Sequence, residues 1–187
     1  MAEHIAVIDT ETNWEDVVMS IGIVLADTDT LKPKCMQYYI IAPAFRIGGM
    51  YEDVLYLKDN QHTTVCSMQE AIQDMCECFQ EWGVTKLFAY NARFDATHLK
   101  GLTHFAWYDI MRIAAYKQFN SKIPCHADCC TTGRLKRNYG VECILQMLLD
   151  DCSYREVHNA LCDAVDELKI MELLEVPIVQ YEIARIS

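Results

Sequence analysis

The order of apolar runs and helical segments predicts an α/β fold, a mixed five-stranded sheet with its first three strands antiparallel and helices flanking it. Three observations carry this. Near the N-terminus three apolar runs follow one another through short polar connections, as an antiparallel meander requires. A segment with a capping box and a glycine stop then supplies a helix. Beyond it, two shorter apolar runs each lead into a helical segment. At 187 residues the chain has the length of one domain, residues 1–187, with room for a sizeable core.

The first strand is expected from Glu3 to Asp9, the second from about Val17 to Ala26 and the third from about Cys35 to Ala42. Asp27-Thr28-Asp29-Thr30 and Lys32-Pro33 mark the turn between the last two. Pro43 to Val65 reads as irregular, broken at Gly48-Gly49. Ser67-Met68-Gln69-Glu70 opens a helix that runs to Trp82 and stops at Gly83. A fourth strand, Thr85 to Tyr90, enters a helix carrying Asp95. A fifth, Thr103 to Tyr108, precedes a helix expected from Asp109 to Phe119. Asn120 to Gly140 reads as loop, Val141 to Leu149 as a short helix, and Asn159 to Glu175 as a long one ended by Pro177.

Chemistry concentrates in three acidic elements. Asp9-Thr10-Glu11-Thr12 follows the apolar run His4 to Ile8. Carboxylates two positions apart on an extended chain point the same way, and held that close they repel unless a cation lies between them. All-oxygen ligation favours Mg²⁺ or Mn²⁺. Asn91-Ala92-Arg93-Phe94-Asp95 follows the fourth strand, and His158-Asn159-Ala160-Leu161-Cys162-Asp163-Ala164 opens the last helix. Each has an ordinary reading taken singly: an acidic loop, a helix start, an exposed helical carboxylate. Together they point to one site. His158 and Asp163 stand five residues apart, roughly 140° around a continuous helix. Both can face that site only if His158 lies in the turn entering the helix.

These motifs resemble those of the DEDDh 3′–5′ exonucleases: Asp-x-Glu in Asp9 to Glu11, Asn-x-x-Phe-Asp in Asn91 to Asp95, and His-x-Ala-x-x-Asp-Ala in His158 to Ala164. The resemblance spans most of the chain and implies a ribonuclease H-like fold. It also implies hydrolysis of single-stranded DNA, or of RNA, from the 3′ end to nucleoside 5′-monophosphates, with DNA favoured. Two Mg²⁺ or Mn²⁺ ions about 3.5–4 Å apart would serve the reaction. Asp9 would bridge them, Glu11 and Asp163 would complete the nucleophile side, Asp95 would hold the second ion, and His158 would be the general base. Thr12, Trp14, Asn91 and Phe94 are the expected substrate contacts, with Trp14 wedged against the terminal base. Asn13 and Trp14 stand where the family often has Thr or Ser and then Gly, and Tyr90 where it often has His. These departures bear on the grip of the terminal base and leave the ligand set intact. An oligoribonuclease-like enzyme for short RNA is an alternative. So is a silent module that binds nucleic acid or a polymerase. Beyond nucleic-acid 3′ ends, a polymerase or another replication or repair protein is the partner class considered.

Bulk properties narrow the classes. A net charge of −11 argues against broad duplex binding but not against gripping a few terminal nucleotides beside metal ions. The stretch Arg112 to Arg137 runs against that charge, with Lys117, Lys122, Arg134 and Lys136 between its ends; it reads as a solvated loop or as a backbone-tracking patch. No apolar run has the length of a membrane span, and the first residues lack a secretory pattern, so a cytoplasmic protein with reduced thiols is expected. Among its ten cysteines, Cys125, Cys129 and Cys130 cluster with His126. That set could hold zinc with Cys152 but lacks the paired spacing of known zinc modules, and a Cys-rich loop is the simpler reading.

Overall fold

The structure is a computed structural model that describes residues 3–56 and 63–187. β1 (His4–Thr12), β2 (Val18–Asp27) and β3 (Pro33–Ile41) form the antiparallel meander. β4 (Thr63–Cys66) adds to β3 in parallel, while β5 (Lys86–Ala89) and β6 (Ala106–Asp109) extend the other side in parallel. The sheet therefore has six strands in the order β4-β3-β2-β1-β5-β6, one more than expected. β4 falls in the segment read as irregular: it is four residues long and mostly exposed, too short for a period to emerge. Residues 57–62 of that segment lie outside the described residues.

Alternation along β1 decides which helix meets which face. Ile5 and Val7 join the core formed with α4 (Val141–Leu149) and α5 (Ala160–Leu174). Ala6 and Ile8 pack on the other side with Ala71, Met75 and Phe79 of α1 (Met68–Trp82). Asp9 and Glu11 continue the odd-numbered parity and so emerge on the α5 side. The strand itself runs on to Thr12, past the expected end at Asp9, so both carboxylates are carried by paired backbone rather than by a loop.

Gly22 sets how near α5 comes. It pairs with Asp9 across the β1–β2 ladder, and a Cβ there would sit 2.1 Å from the Ala160 carbonyl oxygen. Only glycine lets the first turn of α5 lie on the sheet beside Asp9. Asn159 caps that turn, its Oδ1 accepting the backbone N–H groups of Leu161 (3.1 Å) and Cys162 (3.4 Å). At the far end Glu175 turns left-handed before Pro177.

α1 has the expected capping box between Ser67 and Glu70 and the left-handed Gly83 stop. α2 (Arg93–His98) is short, and so is α3, which covers only Met111–Ala114 where a helix to Phe119 was expected. Tertiary partners take its carbonyls: the Asn120 side chain donates to Ala114 and the Leu135 N–H to Ala115. With those acceptors occupied, the i to i+4 ladder stops. Among the described residues, no helix is long and apolar enough to cross a membrane.

Candidate active site

The acidic elements converge at one end of the sheet, where β1 and β5 finish and α5 begins. Ligand atoms of Glu11, His158 and Asp163 all lie within 4.8 Å of one another. His158 sits in the turn before α5 with φ of 59°, a left-handed conformation that costs a non-glycine residue energy. That kink brings the imidazole to Asp163, one turn into the helix, and the His158 backbone N–H favours the Asp163 carboxylate. Asp95 is buried at the start of α2 and accepts a 2.8 Å hydrogen bond from the Thr10 hydroxyl. The turn that delivers it uses a left-handed Asn91, whose N–H donates to Asp109 (3.0 Å).

Mutual repulsion and burial dominate the electrostatics. Burial, then Asp95, Asp163 and Glu11, hold the Asp9 carboxyl well above the usual range. Burial and Glu156 push Glu11 up to about 8. Burial raises Asp95 to about 7 against the pull of the Thr10 hydroxyl. Asp163 is raised to about 8 by burial, Glu156 and Glu11. Among the described residues no lysine or arginine forms an ion pair with any of the four. Asp9 Oδ2 and Asp163 Oδ1 are enclosed without a hydrogen-bond partner. Buried, unpaired carboxylate oxygens of this kind call for a cation, and the donor set suits a hard, oxygen-preferring divalent ion.

Beside this cluster, a cleft of about 210 Å³ is lined by Glu11, Thr12, Asn13, Trp14, Met50 and Tyr51. Trp14 is 67% exposed and lies outside the core. The buried Asn13 shapes its loop, accepting the Glu15 and Val17 N–H groups and donating to the Ala44 carbonyl (3.0 Å). Phe94, partly exposed on α2, packs against His98 (4.4 Å between rings), and His98 in turn reaches Asp16 of the Trp14 loop at 3.2 Å. The Asn91 side chain is exposed at the mouth of the turn.

Several contributors escaped the motif reading. Thr10 lies inside the first motif but on the other parity, and its role follows only from where Asp95 is buried. Glu167 is buried near Asp9 and Asp95, held well above the carboxylate range, and its Oε2 has no partner. Its spacing from Asp163, one helical turn on the same face, was a usable signal. Glu156 lies two residues before His158 and raises both Glu11 and Asp163. Tyr51 stacks on His158, with rings 4.2 Å apart at 15°, and nothing in its irregular segment marked it.

Away from the cleft, the basic stretch is partly tied up by local contacts. Lys136 meets Asp128 at 2.8 Å, Lys117 donates to the Cys125 carbonyl, and Arg134 lies 5.2 Å over the Tyr139 ring. It reaches the site's neighbourhood through the Tyr90 hydroxyl, which donates to the Tyr139 carbonyl. Around Cys125 to Cys130, no set of His, Cys, Asp and Glu ligands converges among the described residues.

The fold is that of DEDDh 3′-exonucleases. The nuclease domain of 3′hExo, a DEDDh family member, superposes with a TM-score of 0.62 at 14% identity, covering 91% of this chain and 90% of that one. Exonuclease X gives 0.56 at 16% identity over 95% and 96% of the two chains. E. coli exonuclease I gives 0.62 at 10% identity over 95% of this chain, which spans 42% of that longer protein. No protein-family profile and no curated protein matches the sequence.

Proposed function

We propose that the whole chain forms one metal-dependent 3′–5′ exonuclease unit that removes nucleotides from single-stranded nucleic acid. The observation that carries this reading is the meeting of Glu11, Asp163 and His158 beside Asp9 and Asp95, with buried carboxylate oxygens left unpartnered. The fold neighbours agree in substrate chemistry: 3′hExo was solved with rAMP, exonuclease X with 5′-overhanging duplex DNA, and exonuclease I with a dT13 oligonucleotide.

Asp9, Glu11, Asp95 and Asp163 would hold Mg²⁺ or Mn²⁺, two ions per site. When bound, the ions supply Lewis-acid stabilisation of the charge that develops on the attacking and leaving oxygens. An imidazole nitrogen of His158 accepts the proton from the attacking water, whose oxygen forms the new bond to phosphorus. The bond from phosphorus to the 3′ oxygen breaks, that oxygen takes up a proton, and a nucleoside 5′-monophosphate leaves. Thr10 fixes one oxygen of Asp95, the carboxylate whose charge acts most strongly on Asp9. Trp14 offers a flat face for the terminal base, a contact tolerant of base identity. Thr12, Asn91 and Phe94 line the approach.

Digestion of labelled DNA and RNA strands, blocked at one end or the other, tests the assignment in Mg²⁺, Mn²⁺ or chelator. Stepwise shortening from a free 3′ end, stopped by chelator, is expected. Equal digestion of 3′-blocked strands, or digestion in chelator, would overturn it. Parallel DNA and RNA arms measure the sugar preference, which rests on contacts near the 2′ position.

A further inference from the structure

We propose that Tyr51 is a positioning residue for His158: its ring fixes the plane of the imidazole while leaving both ring nitrogens open. For its kinetic readout this rests on the exonuclease reading. The two rings stack 4.2 Å apart and 15° from parallel. Among the described residues, no hydrogen bond holds either nitrogen of the His158 ring, whereas His4 and His98 both hydrogen-bond through theirs. A hydrogen-bonding partner would orient the ring at the expense of one nitrogen. A stacking partner orients it and occupies neither edge.

The backbone on both sides is tied together to make this contact. Asn159, next to His158, donates from Nδ2 to the Val54 carbonyl (2.9 Å) and to the Tyr38 hydroxyl (3.0 Å). Tyr38 passes that link on, donating to the Leu55 carbonyl at 2.9 Å. The segment presenting Tyr51 is thus anchored to the residue that follows His158 and caps α5. Glu11 and Asp163 stand close to the same imidazole, so the ring is held between an aromatic plane and the acidic cluster. Tyr51 also lines the cleft beside Trp14, which makes a direct substrate contact the competing role.

The two roles separate in a double-mutant cycle. Tyr51→Leu and Tyr51→Phe are compared in the wild-type and His158→Ala backgrounds, with kcat and KM measured on one single-stranded substrate. Tyr51→Leu should lower kcat roughly 3–10-fold with KM little changed, and Tyr51→Phe should restore most of it. In the His158→Ala background Tyr51→Leu should lower kcat no further. A KM rise of equal size in both backgrounds would make Tyr51 a substrate contact and overturn the proposal, as would a Tyr51→Phe defect as deep as that of Tyr51→Leu. Proton NMR gives a readout independent of catalysis. The His158 ring signal, assigned by its loss in His158→Ala, should be shifted upfield by the stacked ring, keep that shift in Tyr51→Phe and lose it in Tyr51→Leu. An unshifted His158 signal in the wild type overturns the proposal. A shifted signal in a protein without nuclease activity supports the contact and sinks the exonuclease reading instead.

Discussion

Replacing Asp163 by Asn should stabilise the metal-free protein while abolishing nuclease activity, two opposite effects of one oxygen. The Asp163 carboxyl is raised from 3.8 to about 8, chiefly by burial, then by Glu156 and Glu11. A carboxyl raised in the folded state binds its proton more tightly there than in the unfolded chain. Its cost to folding is absent below pH about 4, grows as pH rises, and is complete above about 8. At about 1.4 kcal/mol per unit, the ceiling near pH 7 is on the order of 4 kcal/mol. The asparagine amide at this buried, unpartnered position carries a desolvation cost of its own, which offsets part of the gain. An increase of about 1–3 kcal/mol is therefore expected, or roughly 3–9 °C in Tm for a chain of this size. The assay is thermal unfolding in chelator at pH 8 and at pH 4, with Mg²⁺ titrated into a second pH 8 series. The mutant should melt higher at pH 8, match the wild type at pH 4, and respond less to Mg²⁺. A mutant that melts lower at pH 8, or gains equally at both pH values, would refute the electrostatic argument. Retained activity would refute the metal-ligand assignment.

Three further outcomes follow from the same geometry. His158→Ala should cut turnover by roughly 10²–10⁴-fold while the Kd for a single-stranded 3′ end, measured by fluorescence anisotropy in Ca²⁺, stays within a few-fold; a collapse of binding would make His158 a substrate contact. Trp14→Ala should raise KM for single strands by roughly 5–100-fold, the worth of one stacked base, with little loss of stability because the side chain is 67% exposed. Bound oligonucleotide should quench Trp14 fluorescence, and a strongly destabilised mutant that binds ends normally would assign Trp14 to packing. Gly22→Ala should cost about 1–3 kcal/mol in urea unfolding, since the new Cβ would meet the Ala160 carbonyl oxygen at 2.1 Å and α5 must lift; a neutral substitution would show that the helix does not need that approach.

The meander, α1, α4, α5 and the placing of His158 before its helix were legible because local signals speak for them: alternation, a capping box, a glycine stop, and the angular argument between His158 and Asp163. The misses share a non-local cause. β4 exists through its pairing with β3: the β-branched Thr63, Thr64 and Val65 favour extended chain, but four residues carry no period and nothing in them names the partner strand. The helix expected through Phe119 stops at Ala114 because Leu135 and the Asn120 side chain claim its last carbonyls. Within the site, the motifs name residues that carry charge, whereas Thr10, Asn159 and Tyr51 contribute orientation, and orientation shows only when distant segments meet.

The charge inventory of the site also explains how so acidic a cluster can sit in a folded protein. Asp9, Glu11, Asp95 and Asp163 carry four negative charges when ionised, which two divalent cations would balance. Glu167 would add a fifth charge from behind, against Asp9 and Asp95, with no cation within the described residues to answer it. Burial, then repulsion from Asp9 and Asp95, holds its carboxyl well above the usual range, which favours the neutral form beside the cluster. Glu156, half-buried at the rim, is raised less, chiefly by burial, and adds to the repulsion on Glu11 and Asp163. The four motif carboxylates are thus the ones whose ionisation a bound cation can offset, and the fold confines that cost to the end of the sheet where β1 and α5 meet.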